Sequence, residues 1–396
     1  MRLVFINRFY WPDEPATAQL LTDLAEALPH RGHEVTVIAS HPGSPGVPRA
    51  ETRRGVRILR VRTPRRLLPG VAGKALAYLT FFIGALWRAV WTVRGGDALV
   101  ALTDPPLIGV GAWLVAGVRG ARLVHWAQDI YPEIAITLAG QRWLRVLKPL
   151  RNLAWRRADA CITLGTDMAS VLAAAGVEPA RLHLSPNWAP AGLVPQPAAI
   201  AAPLRDTWGL TGKFVVAYSG NLGRVHDLFP VLAVAAELRD DPGIAFVFIG
   251  HGAQRRALEA EAAQRGLVNV QFRPPQPRAA LAATLTLGDV HLVTMLPGCE
   301  TLVFPSKLYG IAAVARPVLV IAPAGCELAR IVTAEDFGRA FTRDEPAAIA
   351  AALRALRADP ALCTRLGQAA ARFSGANGDQ IAADRWESAL AAAGVC

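Results

Sequence analysis

Three short stretches carry residues whose types and spacing suit them to hold an anion. In "FPSKLYG", Ser306 and Lys307 follow a proline at the expected start of a helix. A serine there caps free backbone N–H groups, and the lysine adds a compact positive charge at the same end. That combination suits a departing diphosphate. Lys307 is one of only four lysines, with Lys74, Lys148 and Lys213, against 38 arginines. Glu300, on the loop before it, can accept hydrogen bonds from sugar hydroxyls. In "YSGNLGRVHD" (218–227) a strand gives way to a Gly-x-x-Gly turn and then a helix. Gly220 and Gly223 let the backbone turn tightly against a ligand, and Arg224 adds a fork-shaped donor for phosphate oxygens. In "FIGHGAQRRAL" (248–258), Gly250 and Gly252 flank His251 in a second strand–turn–helix step. Each turn alone is an ordinary connection. Three of them in one half of the chain make a nucleotide-diphosphate site the expectation.

The first half has its own candidates. "TDPP" (103–106) and "WAQDIYPE" (126–133) stand at the C-terminal ends of expected strands, the edge where open α/β sheets bind ligands. Asp129 and Glu133 are each a candidate acceptor-binding group or base, or a helix cap. "RFYWPDEPATA" (8–18), aromatic and proline-rich, reads as a loop over a cleft.

Stepping from these residues to the elements that hold them, the pattern is α/β. Short apolar runs at 2–7, 33–40, 97–103, 121–127, 158–165 and 180–187 read as buried strands, with helical spacing at 16–29. This rhythm predicts a parallel sheet covered on both faces. Residues 188–205 hold four prolines and read as a linker. Strands then resume at 213–220, 244–250, 268–274, 289–295 and 316–322. The expected organisation is two doubly wound, Rossmann-like domains facing a cleft. The first covers 1–187 and the second covers 206–375. Residues 376–396 are expected to return as a helix onto the first domain.

Charge divides unevenly. Residues 1–205 carry 24 Lys and Arg against 13 Asp and Glu, a net of +11, and the remainder carries 18 of each. An excess confined to one half points to an anionic partner: nucleic acid, phospholipid or a phosphorylated substrate. Two segments supply much of it. Residues 49–66 hold eight arginines, and residues 142–157 interleave Arg142, Arg145, Lys148 and Arg151 with Trp143, Leu144, Leu147, Leu150 and Trp155. A helix of the second kind suits an anionic bilayer, kinked at Pro149. Residues 75–93 are apolar over nearly the length of a bilayer span but contain Arg88, so an interfacial or buried helix is expected. The five cysteines are scattered, without a CxxC pair or a His/Cys cluster, so neither zinc nor a disulfide framework is expected. No signal-peptide pattern opens the sequence, and a cytosolic location is expected.

Taken in order, "GNLGRVHD", "FIGHG", "FPSKLYGIAAVARPV" and "CELARIV" resemble the nucleotide-binding half of family 4 glycosyltransferases. "INRFYWPDEPATAQLLTDLAEALPHRGHEVTVIA" and "DIYPE" resemble the acceptor half. The likeness runs over roughly 1–375, in particular to bacterial enzymes of capsule, colanic-acid and O-antigen assembly. It implies a GT-B fold and a retaining, metal-independent transfer from a UDP- or GDP-sugar, with no other cofactor. It implies that Arg224 and Lys307 stabilise the departing diphosphate, with Glu300 and Asp129 as further catalytic or orienting groups. Gly220, Asn221, Gly223, Gly250, His251, Ser306 and Leu308 would contact the donor, and Arg273 with Pro274 would lie at its base. The chain departs from the family at Gly310, where many members have a second glutamate, at "PATA" in place of a Gly-Gly turn, and at Gln128, where a histidine is usual.

The resemblance implies a polyprenyl-diphosphate-linked saccharide as acceptor and a peripheral position on the inner face of the cytoplasmic membrane, held by the basic first half, with no nucleic acid. Two rivals stand beside it. A nucleotide-sugar epimerase shares the two-domain fold but needs an acid–base carboxylate pair. A non-enzymatic binder of anionic polymers would account for the charge, but the chain lacks a recognition motif or a stacking-aromatic platform.

Overall fold

The computed structural model describes residues 1–64 and 70–395. They form two compact units. The first holds Met1–Asn187, Thr301–Phe304 and Asp379–Cys396; the second holds Trp188–Glu300 and Pro305–Gly378.

The first unit is built on eight strands: β1 (Arg2–Ile6), β2 (Glu34–Ser40), β3 (Ala50–Arg53), β4 (Val56–Val61), β5 (Ala98–Ala101), β6 (Arg122–Ala127), β7 (Ala160–Thr163) and β8 (Leu182–Leu184). Their order is β3-β4-β2-β1-β5-β6-β7-β8, parallel throughout except for the β3–β4 pair. Leu3, Val4, Phe5 and Ile6 are all buried, as strands covered on both faces require.

The arginine-rich segment 49–66 departs from its expected role. Its first part is the β3–β4 hairpin, and Arg53 and Arg60 are taken up inside the fold, while Arg49, Arg57 and Arg62 are exposed. Arg60 is 1% exposed and donates to the carbonyls of Pro48 (2.9 Å) and Trp11 (3.1 Å) while pairing with Glu51. Arg53 pairs with Glu26 and lies over the Trp11 ring, and Arg54 reaches the same glutamate at 3.1 Å. Buried charges must be paired, and these are. Arg53 and Arg60 are therefore not free for lipid phosphate. Arg65 and Arg66, like Cys396, lie outside the described residues.

Helix Gly70–Thr92 is mostly apolar, with Lys74 and Arg88 its only charges, and buries one edge. Ala77, Phe81, Ala85 and Ala89, four apart, are buried, and a Cβ on Gly84 would stand 2.5 Å from Val61 Cγ1. The other edge, Leu79, Ile83, Trp87 and Trp91, is also four apart and is 57–72% exposed. Segment 142–157 breaks into a 3-10 turn, Arg142–Leu147, and a helix, Lys148–Arg157, with Pro149 in the first turn, where its missing N–H costs nothing. Here too the expectation is corrected in part. Lys148 and Arg151 both hold Glu133 (3.0 and 2.9 Å), and Trp155 is buried under the Arg151 guanidinium. Arg142, Trp143, Arg145, Val146 and Leu150 remain exposed.

Helix Asp379–Ala392 belongs to the first unit. Trp386 is fully buried, 4.7 Å from Trp126 and 6.0 Å from Phe5 between ring centroids. Arg31 adds ion pairs to Asp384 and Glu387.

The second unit carries β9 (Phe214–Ser219), β10 (Ile244–Ile249), β11 (Val270–Arg273), β12 (Val290–Thr294), β13 (Val318–Ile321) and β14 (Gly338–Phe341) in the order β11-β10-β9-β12-β13-β14. All pairings are parallel. The expected linker is only partly a tether. Ala198–Ala201 and Ala202–Thr207 are helical, and Ala201 is buried with Trp208, Leu210, Val215 and Ala217 in one core cluster of this unit.

Candidate functional site

In the second unit the strand order reverses between β9 and β12. The C-terminal edge at such a reversal is where open α/β sheets bind ligands. Gly220 follows β9 at that point. It is exposed, at φ +134°, and a Cβ there would stand 3.3 Å from Lys307 Nζ. The glycine turns are woven together by the backbone. Gly220 N donates to Ile249 O (2.9 Å), Gly250 N to Arg273 O (3.1 Å) and Leu222 N to His251 O (2.8 Å). Gln254 Nε2 donates to the carbonyls of Gly223 and His226.

Lys307 is the charge at this turn. Its ammonium nitrogen is buried, has no hydrogen-bond partner, and sits 3.5 Å from the centroid of the Tyr218 ring. Burial holds its pKa well below the usual lysine range. A buried donor left unpaired is costly, so an ammonium aimed at an open glycine turn is a feature that an anion would satisfy. His226 lies beside it. Burial first, and the Lys307 charge second, lower the imidazole to about 3, and its Nδ1 bonds Thr294 O at 2.9 Å. The neutral ring leaves one positive charge here, not two. Sequence reasoning missed Tyr218 and His226. Tyr218 reads there as one more inward strand residue, and nothing in the spacing shows which ring lies under the lysine.

Asn221, Arg224 and His251 are exposed on the two turns, and Glu300 accepts from Gly298 N at 2.6 Å. Three expectations are corrected. Ser306 makes no side-chain cap; it is already helical at φ −57°, ψ −23°, so its hydroxyl does not reach the free N–H groups. Leu308 is fully buried core, and its side chain cannot contact a donor. The Arg273 guanidinium turns away, to Gln271 Oε1 (2.9 Å) and over the Trp208 ring, so only its backbone joins the turns.

In the first unit Asp129 follows β6, and its neighbour Ile130 donates to Leu302 O at 2.9 Å. Burial, then the nearby Asp104 carboxylate, raise Asp129 to about 7. A carboxyl that titrates near neutrality suits proton transfer. Asp104 is itself pushed up by burial and is held by Arg8 Nε at 2.9 Å. Asp129 borders a cavity of about 20 Å³ with Thr103, His125, Tyr131, Arg151 and Trp155, room for one water and not for a sugar. Glu133, the alternative candidate, is occupied by Arg151 and Lys148, which hold its pKa low against the cost of burial. Among the described residues no three His, Cys, Asp or Glu side chains converge as metal ligands would.

Comparison with known proteins gives two family matches along the chain. Residues 17–188 match a glycosyl transferase 4-like domain, and residues 204–373 match glycosyl transferases group 1. The putative colanic acid biosynthesis glycosyl transferase WcaI of Escherichia coli is 27% identical over 377 residues, covering 90% of this chain and 91% of its own. Among solved structures, a sucrose-phosphate synthase from Thermosynechococcus elongatus superimposes with a TM-score of 0.79 at 18% identity, over 98% of this chain and 97% of the other. HepE of Anabaena, solved with UDP, gives 0.75 at 14% identity, over 99% and 100%. The likeness to both structures is one of fold, and that fold is GT-B.

Proposed function

This chain belongs to the family 4 glycosyltransferases and serves in cell-surface polysaccharide synthesis, and on that premise we propose that its second unit holds a UDP- or GDP-sugar by the diphosphate at Gly220. The observation that carries this reading is the buried, unpaired Lys307 ammonium beside an exposed glycine turn. Arg224, exposed on the same turn, supplies the second cation, so protein charge neutralises the leaving group without a metal ion. HepE was solved with UDP, which favours a nucleotide ligand of this kind.

In the proposed transfer the bond from sugar C1 to the diphosphate oxygen breaks, and C1 bonds the acceptor oxygen on the same face. The acceptor proton passes to the released phosphate oxygen. Asp129, titrating near 7, orients the acceptor hydroxyl. The acceptor is a polyprenyl-diphosphate-linked saccharide presented at an anionic membrane. The exposed edge Leu79, Ile83, Trp87 and Trp91, and the exposed Arg142, Trp143 and Arg145, support that placement. Apolar and aromatic side chains beside arginines suit the headgroup layer.

Titration with UDP and GDP tests the donor half of this reading. Lys307→Ala is expected to weaken binding of the preferred nucleotide at least tenfold, the loss of one charge-assisted contact, and to abolish most turnover. Unchanged affinity and turnover would refute it. Release of free nucleoside diphosphate from a nucleotide-sugar in water, with no sugar transferred to any acceptor, would favour the epimerase instead.

A further inference from the structure

A lysine ammonium taken out of water loses its hydration and normally recovers it through carboxylates or carbonyls. At Lys307 Nζ no such acceptor is within reach. What the nitrogen meets is the face of Tyr218, 3.5 Å away, and an aromatic face carries the negative part of the ring quadrupole. The ring is fixed. Tyr218 is fully buried, tilted against Phe248 at 6.0 Å, with His226 edge-on at 5.9 Å. Its hydroxyl donates to Asn221 O at 2.9 Å, a carbonyl in the middle of the Gly-x-x-Gly turn.

One side chain thus touches both halves of the anion site: the charge through its face and the backbone through its hydroxyl. We propose that Tyr218 is the positioning residue of the donor site. Its ring holds Lys307 Nζ against Gly220, and its hydroxyl holds the turn that the diphosphate meets. The inference rests on the reading of the second unit as the donor site. It differs from ordinary core packing in one respect: the electron density of the ring matters, and not only its volume.

The test replaces Tyr218 in the full chain with Phe, and then with mono-, di- and trifluorophenylalanine. These draw charge from the ring face at nearly constant shape. UDP and GDP affinities are read by calorimetry, and the melting temperature of the unliganded protein is read alongside. The Phe variant keeps the ring and is expected to bind within about threefold of the parent, the loss of one hydroxyl contact. Affinity is then expected to fall stepwise with fluorination, to roughly tenfold weaker at the trifluoro ring, the scale of a desolvated cation–π contact. The unliganded melting temperature should fall by no more than a few degrees along the fluorinated series, since the ring keeps its volume and only one contact weakens. An affinity that stays flat, or rises, along the series overturns the proposal. Lys307→Ala separates the two failures. If it leaves nucleotide affinity intact, the donor-site reading itself has failed; if it loses affinity while the fluorinated series stays flat, only the role of Tyr218 has.

Discussion

A Cβ placed on Gly250 would lie 2.0 Å from the carbonyl oxygen of Gly220. Two turns from neighbouring strands therefore approach through backbone, and the second cannot carry a side chain at the contact. Gly250, at φ +148°, also occupies a conformation that other residues adopt only under strain.

Gly250→Ala is accordingly expected to cost about 3 kcal/mol or more and to displace Gly220 from Lys307. Gly192→Ala is the control. That glycine also has a positive φ but has open space around it, so only conformational strain of about 1 kcal/mol is at stake. Denaturant unfolding and UDP or GDP titration of both variants measure the difference. Equal costs would mean that the backbone contact is not rigid.

Asp129 gives a pH prediction with a definite sign. Its carboxyl titrates near 7 in the fold and near 3.8 when free, so the folded state holds one more proton between those values. The stability this contributes is full below pH 4 and is lost as pH rises through 7. Asp129→Asn, neutral at every pH, should lose less stability over that range than the parent. The difference should approach about 2–4 kcal/mol by pH 8. Parallel stability profiles from pH 4 to 8 for the two proteins would contradict it.

The apolar edge of helix Gly70–Thr92 makes a third prediction. Trp87 and Trp91 are exposed, with rings 5.8 Å apart, so removing both leaves the fold intact. Trp87→Ala with Trp91→Ala is expected to reduce partitioning to phosphatidylglycerol-containing vesicles by about tenfold or more, the apolar area of two indoles. Raising salt should weaken the remainder, through Arg142 and Arg145. Vesicle binding that survives the double substitution would place the membrane contact elsewhere.

Apart from β14, whose Gly-Arg-Ala-Phe run does not read as a strand, the parallel strands of both sheets were legible because buried parallel strands write themselves as short runs of Val, Ile, Leu and Ala. The β3–β4 hairpin was not. Val56 and Ile58 alternate inward, but Arg57 sits between them and Arg53 and Arg60 flank them, and the sequence cannot show that Arg60 finds two carbonyls and a glutamate inside. The same blindness applies to cations generally. Charge counts distinguish neither Arg151, buried against Glu133 and Trp155, from Arg142 in water, nor a paired lysine from Lys307. The glycines of the donor turns were readable because their spacing follows the two strand ends. What stands under the lysine was not, since it depends on how β9 and the 298–307 loop meet in three dimensions.

The helix that brings Trp386 between Phe5 and Trp126 follows the whole second unit along the chain. During synthesis, then, the unit begun first is completed last. A ribosome must finish some 190 intervening residues before the opening sheet receives its final indole. Until that moment the apolar surface around β1 and β6 stays open to water or to chaperones.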